Sequence, residues 1–319
     1  MCRRRIVVTG GAGFIGSHLV DRLLDRGDEV VCFDNFNDAY APDLKRENVA
    51  GHLQRRGYRL VEVDIRERGR IAELLGELRP EAVVHLAARA GVRPSLRDPF
   101  LYQETNVAGT LNLFDGCRDA GVSRMIFGSS SSVYGSAADV PFSEEEPRLL
   151  PSSPYAATKI AGEAFAHSYA HLYGLEVASL RFFTVYGPRQ RPDLAIRKFA
   201  TRILRGEAID LYGDGTSSRD YTHVDDIIAG VLAALDRTTT RYEVFNLGSA
   251  APIALRELVA TIEEATGVAA KVNWLPDQPG DVPRTYASID RAGERLGYAP
   301  AVPFADGIAD FVDWLRPRV

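Results

Sequence analysis

Seven residues, Gly10-Gly11-Ala12-Gly13-Phe14-Ile15-Gly16, stand between a short apolar run (6–9) and an amphipathic stretch (15–26). Glycine there permits a tight turn and close backbone approach to a bound pyrophosphate, and the unpaired amides opening the helix favour negative charge. A strand feeding such a turn needs parallel neighbours and helices on both faces. The sequence supplies them. Short apolar runs at 30–33, 60–64, 82–86, 124–129, 176–182 and 244–247 alternate with helical patterns at 71–78, 102–120 and 155–173. With the first run this makes seven strands in a βαβ rhythm. The expected fold is α/β: a doubly wound parallel sheet of Rossmann type with a smaller C-terminal substrate-binding lobe. The nucleotide domain should span 1–185, with return segments at about 220–248, and the lobe 186–319. Residues 37–53 read as a polar, helical insertion over the adenosine end.

The 319 residues suffice for both parts, and 45% apolar with 25% charged residues is ordinary for a globular protein. A net charge of -5 argues against general nucleic-acid binding. Cys2, Cys32 and Cys117 are odd in number and widely spaced, which suggests neither a disulfide framework nor a metal site. The basic start, Met1 to Arg5, runs into a strand pattern instead of an apolar signal core, and no apolar run approaches membrane-spanning length. The expectation is a cytoplasmic enzyme with no metal, membrane or nucleic-acid partner.

Asp34 ends the second strand eighteen residues after Gly16, where a carboxylate can accept hydrogen bonds from both adenosine ribose hydroxyls and would repel a 2′-phosphate. The expected cofactor is therefore NAD. Its site should comprise Gly10, Gly13, Phe14, Ile15 and Gly16, then Asp34 and Asn35, Asp64 and Ile65 at the adenine, and Leu86, Ala87 and Ala88. Ser129 to Ser132 close another strand and so lie at the carboxyl edge of the sheet, where open α/β folds bind ligands. Tyr155 and Lys159, four apart on a helix, share one face, and an ammonium near the phenol would lower its pKa. Tyr155 as base, Lys159 holding the ribose and Ser130 sharing its hydrogen bond with a substrate hydroxyl would oxidise an alcohol by transfer of hydride to NAD.

The glycine loop, Asp34, His85-Leu86-Ala87-Ala88, the serine strand and the Tyr155/Lys159 pair together resemble the extended short-chain dehydrogenase/reductase family of nucleotide-sugar enzymes over nearly the whole chain. Within it, residues 180–193 and 88–95 are most similar to UDP-glucuronate 4-epimerases. The resemblance implies oxidation at carbon 4, rotation of the 4-keto sugar and return of the hydride to its other face. It implies that Thr184, Arg191 and the serines Ser130, Ser131 and Ser132 hold the substrate carboxylate. Arg89 joins the substrate site by the same likeness, as do Arg219 at the diphosphate, Gln278 where neutral-hexose epimerases often carry a second arginine, and Asp281 at the uridine ribose. Asn106 is expected to be structural, and Ile196, Arg197 and Lys198 to begin a helix that lines the uracil pocket. The helices carrying Leu111, Leu113, Phe114 and Cys117, and Phe165, Tyr169 and Leu172, would form a homodimer interface. Three alternatives stay open: 4-epimerisation of UDP-glucose or UDP-N-acetylglucosamine, decarboxylation of UDP-glucuronate, and a non-catalytic dinucleotide sensor. Ser131-Ser132 replaces the Asp-Glu pair of sugar 4,6-dehydratases, and decarboxylases carry a glutamate at Ser132.

Overall fold

The computed structural model describes residues 4–135, 139–238, 240–276 and 284–319. Six strands in chain order, β1 (Arg5–Thr9), β2 (Glu29–Asp34), β3 (Tyr58–Glu62), β4 (Ala82–His85), β5 (Arg124–Ser130) and β6 (Glu176–Phe182), enter one sheet. The next three, β7 (Thr184–Tyr186), β8 (Ala208–Tyr212) and β9 (Ser218–His223), leave it, and β10 (Tyr242–Leu247) returns as its seventh member. The sheet order is β10-β6-β5-β4-β1-β2-β3 with every pairing parallel. The chain therefore works outward from β1 through β2 and β3 in one direction and, from β4 on, in the other. That reversal opens a crevice at the carboxyl ends of β1 and β4.

Burial explains why the strands read as continuous apolar runs. Neighbouring residues point to opposite faces of the sheet. Ile6 and Val8, with Val84 and Ile126, pack under the helices Phe14–Asp25 and Val224–Arg237. Val7, Val83 and Met125 pack against Arg68–Leu78, Gly109–Ala120 and Pro154–Tyr173 on the other face. A separate core gathers Ile196, Ile203, Ile209, Leu211, Leu258, Ile262 and Phe311 around the helices Ala195–Leu204, Leu255–Thr266 and Phe304–Leu315. There β9 pairs with β7, with β11 (Pro252–Ala254) and with β13 (Arg284–Thr285), while β12 (Lys271–Leu275) pairs with β8.

Two sequence expectations change. The helix expected over 102–120 is three pieces: Pro99–Tyr102, a π-helical turn Gln103–Ala108, and Gly109–Ala120. The wider turn sits at Asn106, whose side chain accepts from the Arg89 amide at 2.8 Å and donates to the Arg89 carbonyl at 2.9 Å and to Thr158 at 3.1 Å. A regular repeat has been given up where a side chain fastens the loop after β4. The expected return at 220–248 is split: β9 belongs to the smaller sheet, whereas Val224–Arg237 and β10 rejoin the large one.

Candidate active site

The carboxyl ends of β1, β2, β4 and β5 open into a cavity of about 490 Å³ that runs from Asp34 and Asp64 to Ser130, Tyr155 and Arg191. At its start Gly10 has a φ of +71°, and its amide donates to the Phe33 carbonyl at 2.7 Å. A Cβ on Gly10 would lie 2.7 Å from the Ala87 amide nitrogen, so only glycine lets the turn pass beneath the β4 loop. The helix that follows, Phe14–Asp25, has no side-chain cap and no acidic residue in its first turn. Its free amides are left to face the cavity lined by Gly13, Phe14, Ile15 and Gly16.

Asp34 is 7% exposed and accepts from the Ala12 amide at 3.1 Å and the Phe36 amide at 2.9 Å. Burial pushes its carboxyl above the ordinary range, against the opposing pull of Lys45 and those two amides. A carboxylate has about four lone-pair directions, so acceptor capacity remains for ribose hydroxyls. Asn35 donates to Asp64 at 2.8 Å, and Arg66 grips the same carboxylate. These bonds hold Asp64 below the usual range although burial alone would raise it. Ile65, Leu86, Ala87 and Ala88 complete this wall.

The chemical end hangs on the helix Pro154–Tyr173, whose start is fixed by Pro154 and by Ser153, which accepts from the Ala156 amide at 3.2 Å. Tyr155 and Lys159 both line the cavity. Lys159 Nζ donates to the Gly128 carbonyl at 2.7 Å and lies 5.9 Å from the Tyr155 ring centre. Burial brings the ammonium down to about 8, with the Glu163 charge opposing. The Tyr155 phenol is pushed up by burial, and what pulls it down is the Ser130 hydroxyl and the charge of Arg191. The ammonium is turned to a main-chain carbonyl, and the nearer help comes from Ser130 and Arg191.

The serine run divides by role. Ser129 donates to Glu163 at 2.6 Å, and Glu163 pairs with Arg181 at 2.8 and 2.9 Å in a buried network. Ser130 donates to the Ser132 hydroxyl at 3.1 Å and accepts from the Ser132 amide at 3.2 Å, which caps the turn Ser131–Tyr134 and leaves Ser130 beside Tyr155. Ser131, Ser132 and Thr184 also line the cavity. Arg191 reaches the same space, its guanidinium 6.0 Å from the Tyr40 ring centre.

Some residues expected at the substrate do not line this cavity. Arg89 does not line the cavity; its guanidinium pairs with Asp38 at 2.9 Å, and its backbone is tied to Asn106. Arg219 lies on β9, is not among the residues lining this cavity, and donates to the Ser218 carbonyl at 2.9 Å. Ile196 is buried in the second core, and Arg197 is bound to Gln190 and stacked over Trp314 at 5.1 Å, so neither faces the cavity. Gln278 and Asp281 lie outside the described residues. Sequence reasoning placed the insertion over the adenosine end but named none of its side chains. Lys45, only 4% exposed, donates to Asn37 at 2.9 and 3.0 Å beneath Asp34, and its ammonium lies 5.0 Å from the Tyr40 ring centre. Tyr102, which donates to the Ala90 carbonyl at 2.9 Å and packs edge-on against Tyr155, was also missed. A lysine in a polar helix carries no sequence signal that it will be buried.

The NAD dependent epimerase/dehydratase family matches residues 6–248. The chain belongs to that family. A UDP-glucuronate 4-epimerase of Arabidopsis thaliana is 43% identical over 97% of this chain and 74% of its own length. Among solved structures, a Bacillus cereus UDP-glucuronic acid 4-epimerase in complex with UDP-glucuronic acid and NAD superposes with a TM-score of 0.92 at 34% identity, covering 99% of this chain and 100% of its own. A Thermus thermophilus UDP-glucose 4-epimerase in complex with NAD superposes with a TM-score of 0.89 at 38% identity, covering 99% and 100%. The site of this NAD-dependent epimerase/dehydratase family member fits its cofactor. The uncapped helix start is open to a pyrophosphate, the Gly10 turn excludes any side chain, and Asp34 retains acceptor capacity.

Proposed function

We propose that this chain is an NAD-dependent UDP-glucuronate 4-epimerase that interconverts UDP-glucuronate and UDP-galacturonate. The observation that carries the reading is Arg191. Its guanidinium enters the cavity close enough to Tyr155 for its charge to lower the phenol's pKa. A planar fork at that place suits a carboxylate borne on ring carbon 5, beside the reacting carbon 4. Thr184 and the hydroxyls of Ser130, Ser131 and Ser132 stand on the same wall.

The Gly10–Gly16 turn, Asp34 and Lys159 would hold NAD, which would supply the acceptor and donor of the carbon 4 hydride. The chain's own residues handle the proton and the posture of the sugar. Tyr155 takes the hydroxyl proton of carbon 4, Ser130 sharing the hydrogen bond, and gives it back once the 4-keto sugar has turned its other face. A 4-keto uronate is a β-keto acid and loses carbon dioxide when the carboxylate bond aligns with the carbonyl π system. Arg191 and the hydroxyl wall hold the carboxylate out of that alignment.

Arg219, Gln278 and Asp281 are assigned to the uridine diphosphate by family resemblance, with the substrate lobe beginning near residue 186. The enzyme works as a homodimer through Gly109–Ala120 and Pro154–Tyr173. Leu113, Phe114 and Cys117 are fully buried within the subunit, so the contact falls to the outer faces, where Leu172 is 65% exposed. Cys32 and Cys117 are free buried thiols, which suits a reducing cytoplasm. One observation favours a neutral-hexose 4-epimerase as the second reading: the Arg191 fork already holds a carboxylate, that of Asp193.

Incubation with UDP-glucuronate, UDP-glucose and UDP-N-acetylglucosamine, followed by NMR of the sugar protons, tests the reading. UDP-galacturonate without carbon dioxide is the expected product. UDP-xylose would make the enzyme a decarboxylase, and turnover of neutral sugars alone would remove the carboxylate role of Arg191.

A further inference from the structure

Arg191 is the one guanidinium that lines the cavity among the described residues, and the two ammonium groups there are committed, Lys159 to the Gly128 carbonyl and Lys45 to Asn37. Arg191 is itself paired. Its Nε donates to Asp193 Oδ1 at 3.0 Å and its Nη2 to Asp193 Oδ2 at 2.6 Å, a two-point grip on one edge of the fork. The Arg191 side chain is 17% exposed and that of Asp193 44%, so the aspartate approaches from the solvent side.

The backbone under this pair is fixed independently. Gln190, 1% exposed, donates to the Val185 carbonyl at 3.0 Å and accepts from the Arg197 amide at 3.1 Å. Arg189 has a φ of +63°, an unfavourable conformation for a residue with a Cβ, and is held by an ion pair to Asp21 at 2.7 Å. The Leu194 amide closes on the Arg191 carbonyl at 3.2 Å. With the main chain set, the remaining freedom at this corner is the long Arg191 side chain, and Asp193 removes it.

A guanidinium has five N–H donors, and a carboxylate on the Nε/Nη2 edge leaves three of them, those at Nη1 and the second at Nη2. We propose that Asp193 is a positioning residue for substrate recognition: it locks Arg191 so that only the end-on edge of the fork meets the substrate carboxylate, and so admits that carboxylate in one geometry. This rests on the uronate reading above. The cost is a second negative charge near the incoming one. The gain is orientation, and orientation is what keeps a 4-keto uronate from losing carbon dioxide.

The test uses the full-length, NAD-loaded enzyme and the variants Asp193→Ala, Asp193→Glu and Arg191→Ala. Calorimetric Kd values are read for UDP-glucuronate and UDP-glucose, with NMR of the products from UDP-glucuronate. Asp193→Ala should weaken UDP-glucuronate relative to UDP-glucose by about tenfold, as expected when one charge-assisted contact loses its geometry. Its products should include UDP-xylose beside UDP-galacturonate, and Asp193→Glu should recover part of the preference. Arg191→Ala sets the full loss. Tighter UDP-glucuronate binding in Asp193→Ala would make Asp193 a competitor of the substrate and overturn the proposal, as would equal weakening of both sugars. If the unaltered enzyme shows no preference for UDP-glucuronate, the uronate reading falls and this one with it. If the unaltered enzyme has the preference and Asp193→Ala keeps it, only the role of Asp193 falls.

Discussion

At the scale of single residues, the site is governed by what each charged or polar atom already holds. Lys159 is spent on the Gly128 carbonyl, Arg191 on Asp193, and Ser129 on Glu163. Tyr155 is left with Ser130, against a burial that keeps its proton on. Tyr155→Phe should therefore retain NAD, seen by its absorbance after gel filtration, while turnover falls by about 10²–10⁴-fold, the usual worth of a positioned acid–base group. Turnover near that of the unaltered enzyme would take Tyr155 out of the proton path. The sequence pointed to Tyr155, Lys159 and Ser130 through residue type and spacing, and to Arg191 only through family resemblance. It does not show that a hydrogen-bond partner 31 residues away in the chain, Gly128, claims the Lys159 ammonium.

At the scale of elements, the helix Pro154–Tyr173 is held to the sheet by a buried ion pair as well as by apolar contact. Glu163 and Arg181 are 5% and 4% exposed, and Ser129 on β5 completes the set. Glu163→Gln strips the charge that balances a buried guanidinium, and a loss of about 3–5 kcal/mol is expected from the urea midpoint at constant slope. A midpoint unmoved by the change would mean that Arg181 finds another partner. Lys159 acts in the opposite sense. Its folded value of about 8 lies below its ordinary 10.5, so between those pH values the unfolded chain binds more protons and stability rises with pH. Below about 8 both states are protonated, and the burial of the charge is a constant cost. Lys159→Met should abolish turnover yet raise the stability of the cofactor-free chain at pH 7 by on the order of 2 kcal/mol, and should flatten the rise between pH 8 and 10.5. A lower melting temperature for this variant would show that the bond to Gly128 outweighs the desolvation. The π-helical turn at Asn106 belongs to this scale too. A periodic apolar pattern cannot reveal it, because its cause is the reach of one side chain to the loop after β4.

At the scale of the whole molecule, the outer faces of Gly109–Ala120 and Pro154–Tyr173 are where two subunits should meet. Leu172 stands 65% exposed beside Tyr173 at 51%. Leu172→Glu should shift the enzyme from dimer to monomer in sedimentation velocity with NAD still bound. A native chain that sediments as a monomer would refute the assembly outright.

The local sequence was enough to determine the layered α/β fold, the seven strands, the glycine turn and the placing of Tyr155 and Lys159 on one helix. Each follows from short-range periodicity or from a residue type that only one local geometry tolerates, such as glycine at a φ of +71°. What the tertiary structure alone decided is which of the charged residues meet. Lys45 becomes buried beneath Asp34, Arg89 turns away to Asp38, Arg191 enters the cavity already gripped, and Ser129 is drawn off into the pair of Glu163 and Arg181. Long charged side chains have many partners within reach, and the choice among them depends on packing between elements distant in sequence.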